Sequence, residues 1–259
     1  MSPPARRPPA PDPMARLRSM TSARVGLGRS GDGLPTAPML AFQLDHAAAR
    51  DAVQARLDPE GLAATLAPLA TIAVASQAPD RTTYLRRPDL GRRLFAGSAA
   101  ALRPGRWDLA IVAADGLSAT AVHAHAAPLI MALTDRLTGW RIAPVVIATQ
   151  ARVALGDEIG AGIGADMVLV LIGERPGLSA PDSLGAYLTW APAVGTPDSA
   201  RNCVSNIRPP HGLNYAEAAD TLVWLMTEAR MRSLTGVALK DERPGGGRIL
   251  ATSSIERPA

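Results

Sequence analysis

Trp107-Asp108-Leu109-Ala110-Ile111-Val112-Ala113-Ala114-Asp115-Gly116, Ile142-Ala143-Pro144-Val145-Val146-Ile147-Ala148-Thr149-Gln150 and Asp166-Met167-Val168-Leu169-Val170-Leu171-Ile172-Gly173-Glu174-Arg175-Pro176-Gly177 are apolar runs within one stretch, 107–177. Helix-like patterns, the first rich in alanine, fill the intervals between them. Short apolar runs alternating with helices suit strands of a parallel sheet buried on both faces. Each run ends in small or polar residues: Asp115-Gly116, Thr149-Gln150, Gly173-Glu174-Arg175. In an open α/β sheet, ligands bind beyond the carboxyl ends of the strands. The stretch therefore predicts a doubly wound α/β domain with a ligand edge built from these turns.

The bulk properties agree with a sizeable core. Of 259 residues 47% are hydrophobic but only 3% aromatic, so the core has to be built from Ala, Leu, Val and Ile. Such a length suits one large domain, or one domain with appendages. The net charge is +4, and Lys240 is the single lysine, so positive charge is nearly all arginine. Without Lys/Arg blocks or interleaved aromatics this is no nucleic-acid signature. It suits surface ion pairs and carboxylate, phosphate or subunit contacts. The single cysteine, Cys203, excludes an intramolecular disulfide and fits a reducing compartment. No run approaches the roughly 18 apolar residues of a membrane span, and the start of the chain lacks the apolar stretch of a secretory signal. A soluble, intracellular protein with no nucleic-acid or membrane partner is expected.

Upstream, residues 1–20 hold six prolines and several arginines. They read as a disordered arm. Residues 21–70 read as a loop and helical segment. Gly26, Gly28 and Gly31 spell G-x-G-x-x-G, with Asp45 and Asp51 near the distance of a ribose-binding acid. That motif needs a strand before it and a helix directly after it. Here Thr21-Ser22-Ala23-Arg24-Val25 precedes and Pro35 follows, so it reads as a glycine-rich loop. Thr36 opens a predicted helix to Asp51 with Leu40, Leu44 and Ala47 on one face. A second helix over 58–70 starts at Asp58-Pro59, and 71–76 suits a strand. Arg81, Arg86, Arg87, Arg92 and Arg93 cluster next; a solvated or subunit-facing surface explains them better than a phosphate contact. Pro88 suits the first turn of a helix to about 102.

Within and beyond the central stretch, Asp115, Ser118 and His123 suggest a hydrolase triad, but the G-x-S-x-G elbow is missing and His123 lies five residues along the helix, turned away from Ser118. His123 and His125 stand on different helix faces and make a poor metal pair. Asp157 and Glu158 are expected in solvent early in a helix. Residues 184–191 suit a further strand, parallel or antiparallel, 201–210 a polar loop or short strand, and 214–234 a long helix with Ala218, Leu222, Leu225 and Met226 inward. Residues 239–259 read as a flexible tail.

Five ordered blocks are more specific than any of these motifs: Phe42-Gln43-Leu44-Asp45-His46-Ala47-Ala48-Ala49-Arg50-Asp51-Ala52-Val53, Tyr84-Leu85-Arg86-Arg87-Pro88-Asp89-Leu90-Gly91-Arg92-Arg93-Leu94, Asp115-Gly116-Leu117-Ser118, Gly173-Glu174-Arg175-Pro176-Gly177-Leu178 and Arg201-Asn202-Cys203-Val204-Ser205-Asn206-Ile207. In these, over about residues 22–237, the chain resembles the small (light) subunit of ethanolamine ammonia-lyase. The resemblance implies a Rossmann-like, mostly parallel sheet over 71–238 with an N-terminal helical extension. It implies adenosylcobalamin as cofactor and a large subunit, a TIM barrel, as the partner that holds ethanolamine and performs the radical chemistry. Carried over residue by residue, it puts cobalamin contacts on Val153, Glu174 and Cys203, and no catalytic acid, base, nucleophile or metal ligand on this chain. It implies a cytoplasmic complex or one packaged in a bacterial microcompartment.

From the residues alone, two other functions fit the same crevice: a self-sufficient nucleotide-dependent α/β enzyme using the Gly26–Gly31 loop, and a small-molecule-binding module. The corrin ring carries amide arms, which a carboxylate such as Glu174 can accept from with charge assistance. Val153 and Cys203 offer backbone groups and a small apolar wall, and Cys203 also reads as a buried small hydrophobe.

Overall fold

The computed structural model describes residues 12–243 apart from 13 and 22. In chain order its helices are α1 (Ala15–Met20), α2 (Thr36–Gln54), α3 (Pro59–Thr65), α4 (Arg81–Arg86), α5 (Ala96–Ala99), α6 (Ala119–Thr134), α7 (Leu155–Ile163) and α8 (Tyr215–Arg232). Its strands are β1 (Thr71–Ala75), β2 (Trp107–Ala114), β3 (Val145–Thr149), β4 (Ala165–Gly173), β5 (Leu184–Trp190) and β6 (Arg201–Ile207). They form one six-stranded sheet in the order β1-β3-β2-β4-β5-β6.

The sheet is mixed, which corrects the expectation of a mostly parallel one. Strands β1 to β4 are mutually parallel, while β5 runs antiparallel to β4 and β6 antiparallel to β5. Connection length explains the change. A parallel return needs a crossover of about a dozen residues or more, usually a helix. Residues 174–183 and 191–200 are too few, so the chain turns straight back twice.

Helices cover both faces. Leu109, Ile111 and Ala113 of β2 pack with Val122, Leu129 and Leu133 of α6 and with Leu222 and Met226 of α8. The alternate residues Ala110, Val112 and Ala114 pack with Leu155, Ile159 and Ile163 of α7. Crossovers of one hand that step in opposite directions across a sheet land on opposite faces. The β2-to-β3 step carries α6 and the opposite β3-to-β4 step carries α7. With few aromatics, the strands approach helices lined by alanine and glycine. Gly156 of α7 is one such point, where a Cβ would come 2.3 Å from Val170.

Several local expectations need correction. The helix expected over 88–102 is replaced by α4, a 3-10 turn at Leu90–Arg92 and the single turn of α5. Asp80 sets the earlier start, its carboxylate accepting from the Thr83 N–H at 2.8 Å. Pro88 ends α4 rather than opening a helix, because a residue before proline is pushed out of the α region. The last part of the expected arm, Ala15–Met20, is helical, although none of it is buried. On α2 the face with Leu40 and Leu44 is 58% and 70% exposed, and Ala52 is its one buried residue among those described. Asp157 does not face solvent: it is buried against Arg201. The strand expected from 142 starts at Val145, Ile142 making only an isolated bridge to Leu109. Residues 1–11 of the arm and 244–259 of the tail lie outside the described residues.

Candidate functional site

The turns after β1 to β4 meet at one edge of the sheet. After β2 the chain turns at Asp115-Gly116. Gly116 has φ +55°, and a Cβ there would stand 2.3 Å from the Gly173 carbonyl oxygen. A Cβ on Gly173 would in turn stand 2.0 Å from the Ser118 carbonyl oxygen. The turns after neighbouring β2 and β4 thus lie backbone on backbone, closed by a hydrogen bond from the Leu117 N–H to the Gly173 oxygen at 2.9 Å. Only glycine permits that approach. Ser118 then caps α6, accepting from the Ala121 N–H at 3.2 Å and donating its hydroxyl proton to the Pro181 carbonyl at 2.8 Å.

Asp115 ties in the turn after β3. It is 1% exposed, and its carboxylate accepts from the N–H of Gln150 at 2.8 Å and of Ala151 at 2.9 Å. Burial raises its pKa, against the pull of those two donors and of the Arg81 guanidinium at 3.7 Å. Arg81 also donates Nε to the Val53 carbonyl at 2.6 Å and Nη1 to the Gly116 carbonyl at 2.8 Å. The Tyr84 ring takes two guanidiniums on its π-system, Arg152 at 4.3 Å and Arg81 at 4.8 Å. Its hydroxyl donates to the Ala151 carbonyl at 3.1 Å, and burial holds the phenol well above its ordinary range.

Against this frame opens a cleft of about 400 Å³, whose walls include Tyr84, Gly116, Arg152, Val153, Glu174 and Tyr187. Two of the three residues singled out from the sequence, Val153 and Glu174, therefore share one hollow. Glu174 accepts from the hydroxyls of Ser183 and Ser205, each at 2.5 Å, and from the Asn206 N–H at 3.4 Å. Ser205 and Asn206 belong to β6, and Ser183 directly precedes β5. Cys203 is not on the wall itself, and it is exposed rather than the buried small hydrophobe expected, because it lies on the edge strand β6. It is the cross-strand partner of Tyr187, which lines the wall. Its thiol is raised, chiefly by partial desolvation and further by the Glu174 charge, against a hydrogen bond with Tyr187. A raised thiol is a poor nucleophile at neutral pH.

Other candidates disperse. Asp115 is spent on backbone, Ser118 on its helix, and His123 Nε2 accepts from the Asp58 N–H at 3.1 Å, so no triad forms. The Gly26–Gly31 segment is a loop with all three glycines at positive φ, and no strand precedes it among the described residues. No group of His, Cys, Asp or Glu suited to a metal ion occurs among the described residues. Arg86, Arg87, Arg92 and Arg93 are exposed, as expected, but Arg81 is not. Arg81, Tyr84 and Arg152 were not legible as site residues. One signal was available: Asp80 as a helix cap directly beyond β1 places Arg81 and Tyr84 at the ligand edge.

The fold and cleft define an α/β protein whose ligand edge is shared between parallel turns and an appended antiparallel pair. The family model described as ethanolamine ammonia-lyase light chain (EutC) matches residues 11–240. Among curated relatives, the ethanolamine ammonia-lyase small subunit of Ralstonia nicotianae is 55% identical over 240 residues, covering 89% of this chain and 88% of its own. The protein of that name from Azotobacter vinelandii is 54% identical over 247 residues, covering 92% and 91%. That from Xanthomonas campestris is 52% identical over 262 residues, covering 96% of each. This chain belongs to the ethanolamine ammonia-lyase light-chain family.

Proposed function

We propose that this chain is the small subunit of an adenosylcobalamin-dependent ethanolamine ammonia-lyase, converting ethanolamine to acetaldehyde and ammonia, and that its cleft holds the cobalamin against a large subunit. The observation that carries the reading is the convergence of Val153 and Glu174 on one open cleft, with Cys203 one strand away beside Tyr187. The parallel half, β1 to β4 with helices on both faces, supports a Rossmann-like description of that half.

The residues present fit such a group. Arg152 Nε is buried without a partner, although Arg152 lines the cleft. Glu174 has three donors, and a carboxylate offers about four acceptor positions, so one is free for an amide N–H. A corrinoid exceeds a cleft of about 400 Å³, so the cleft takes one edge of it and a second surface must cover the rest. That is the shape of a lid, and it accounts for a small subunit that needs a larger one.

The bound cofactor supplies the radical chemistry through its cobalt–carbon bond. This chain's residues bind and orient. Glu174 would accept from an amide arm, Val153 and Tyr187 would supply apolar wall, and Cys203 stands beside Tyr187 on the neighbouring strand. The Arg81–Tyr84–Arg152 stack and the Asp115 hydrogen bonds keep the turns in place and limit water at the cleft. No described helix is long and apolar enough to cross a membrane, and we take the complex to work in the cytoplasm or within a bacterial microcompartment.

The test is co-expression with the large subunit, followed by assay of adenosylcobalamin-dependent acetaldehyde release and of cobalamin affinity. The complex should turn over and the isolated chain should not. Glu174→Ala should weaken cobalamin binding by about tenfold, the cost of one charge-assisted hydrogen bond. Turnover by the isolated chain, or an intact complex whose affinity ignores Glu174, would refute the reading.

A further inference from the structure

Glu174 reaches its donors by lying across β5. A Cβ on Gly185 would stand 2.8 Å from Glu174 Oε1 and 3.1 Å from its Cγ, so the glutamate fills the space that a side chain at 185 would take. Gly185 is not among the glycines with positive φ. Its backbone does not ask for glycine; the room for Glu174 does.

Opposite Gly185 the ladder is irregular. Leu184 pairs with Ile207 and Ala186 with Val204, so Ser205 and Asn206 of β6 together face one residue of β5. Such a bulge frees a residue from the ladder and re-aims what it carries. Asn206 takes φ +59°. The Ser205 hydroxyl donates to Glu174 Oε1 at 2.5 Å and the freed Asn206 N–H to Oε2 at 3.4 Å. The Ser183 hydroxyl donates to Oε2 at 2.5 Å. Tyr187 and Cys203, paired across the strands, lie two residues along from Gly185 and Ser205, hence on the same face. The bulge therefore continues the wall of the cleft that Tyr187 lines.

We propose that Gly185, Ser183 and Ser205 are positioning residues for the cofactor. The glycine makes room for the Glu174 side chain and the two hydroxyls fix its two oxygens, so that an amide arm meets a carboxylate already oriented. The proposal rests on the reading of Glu174 above and deepens it. A glutamate free to turn has to be ordered as the ligand arrives, which weakens binding by a factor of about two to ten.

The experiment uses the complex with the large subunit and equilibrium dialysis of cyanocobalamin read by its absorbance. Alanine at 185 meets the far end of a flexible side chain rather than backbone, so the strand can accept it while Glu174 is turned aside. Gly185→Ala should bind cyanocobalamin about tenfold more weakly, matching Glu174→Ala, and the two changes together should bind within about twofold of either alone, since both act through one carboxylate. At exposed Ser205, Ser205→Ala should lose about fivefold, whereas Ser205→Thr, which keeps the hydroxyl, should stay within about twofold of the natural complex. Natural affinity in Gly185→Ala or Ser205→Ala overturns the proposal. So does a further loss when Gly185→Ala is added to Glu174→Ala, or a loss in Ser205→Thr equal to that in Ser205→Ala. Should Gly185→Ala fail to assemble, the two Ser205 variants decide alone. Natural affinity in Glu174→Ala removes the assignment of Glu174 together with this proposal; a loss there without one in Gly185→Ala and Ser205→Ala removes this proposal only.

Discussion

Replacing Asp157 with alanine should cost more stability than any surface change in this protein. The Asp157 and Arg201 side chains are 2% and 1% exposed. Arg201 donates from both terminal nitrogens to the two carboxylate oxygens at 2.7 Å each. It also donates to the Thr189 hydroxyl and the Thr196 carbonyl, both at 2.8 Å. Removing one partner of a buried pair strands the other charge, at about 3–5 kcal/mol. Here the two remaining acceptors soften the loss, while Asp198, at 3.5 Å but 92% exposed, is a weak substitute. The expected cost is therefore at the lower end, about 3 kcal/mol. For a domain of this size that lowers the melting temperature by roughly 6–12 °C. Urea unfolding followed by far-UV circular dichroism measures the first figure and a thermal scan the second. The pair also fastens the start of β6, which carries Cys203 and Ser205, to α7, so cobalamin affinity should fall in parallel. The double variant Asp157→Leu with Arg201→Met should recover most of the stability, since an apolar pair needs no desolvated charges. A single-variant loss below about 1 kcal/mol, the range of a surface ion pair, would refute the reasoning.

Gly116→Ala meets both a positive φ and a carbonyl oxygen 2.3 Å from the new Cβ; it should cost at least about 2 kcal/mol in urea unfolding, and a loss under about 0.5 kcal/mol would show that the β2 and β4 turns are not locked together. Ser118→Ala removes a helix cap and a bond to the Pro181 carbonyl, for an expected loss of about 1–2 kcal/mol by the same measurement; no loss would mean the cap is replaced by water. Burial lowers the His125 pKa from 6.5, despite nearby Asp182, so the unfolded chain takes up this proton first. Its contribution is present above pH 6.5 and is lost as pH falls through the depressed folded value. The urea midpoint of the natural protein should therefore drop between pH 7.5 and 5.5 more than that of His125→Gln, and equal slopes would exclude His125 as the source.

The alternation of apolar runs and helices between 107 and 177 is dictated by burial of each strand on both faces, so β2, β3, β4, α6 and α7 were readable from the hydrophobic pattern alone. So were the caps at Asp58, Ser118 and Asn214, because those side chains act on backbone a few residues away. The direction of β6 and its place beside β5 were not readable, since register depends on connection length and on partners distant in sequence. Asp157 shows the limit most clearly. In a first helical turn a carboxylate reads as solvated, and only Arg201, far along the chain, makes its burial tolerable. The same holds for Leu40 and Leu44, whose apolar spacing predicts a covered face that this chain's own described residues do not cover. At the cleft, Val153 and Glu174 fell where strand ends predict. Arg81 was placed with its four exposed neighbours, because the one local signal that sets it apart, the Asp80 cap just beyond β1, fixes where it stands and not that it is buried.

The way Glu174 is satisfied sets an order on biosynthesis. Ser183 follows it by 9 residues, but Ser205 and Asn206 follow by 31 and 32. A ribosome that has delivered every parallel strand has still not delivered the groups that hold this carboxylate in position. The cleft is thus a late product of translation, finished only by the sheet's final strand, after residue 206 of 259 has been added.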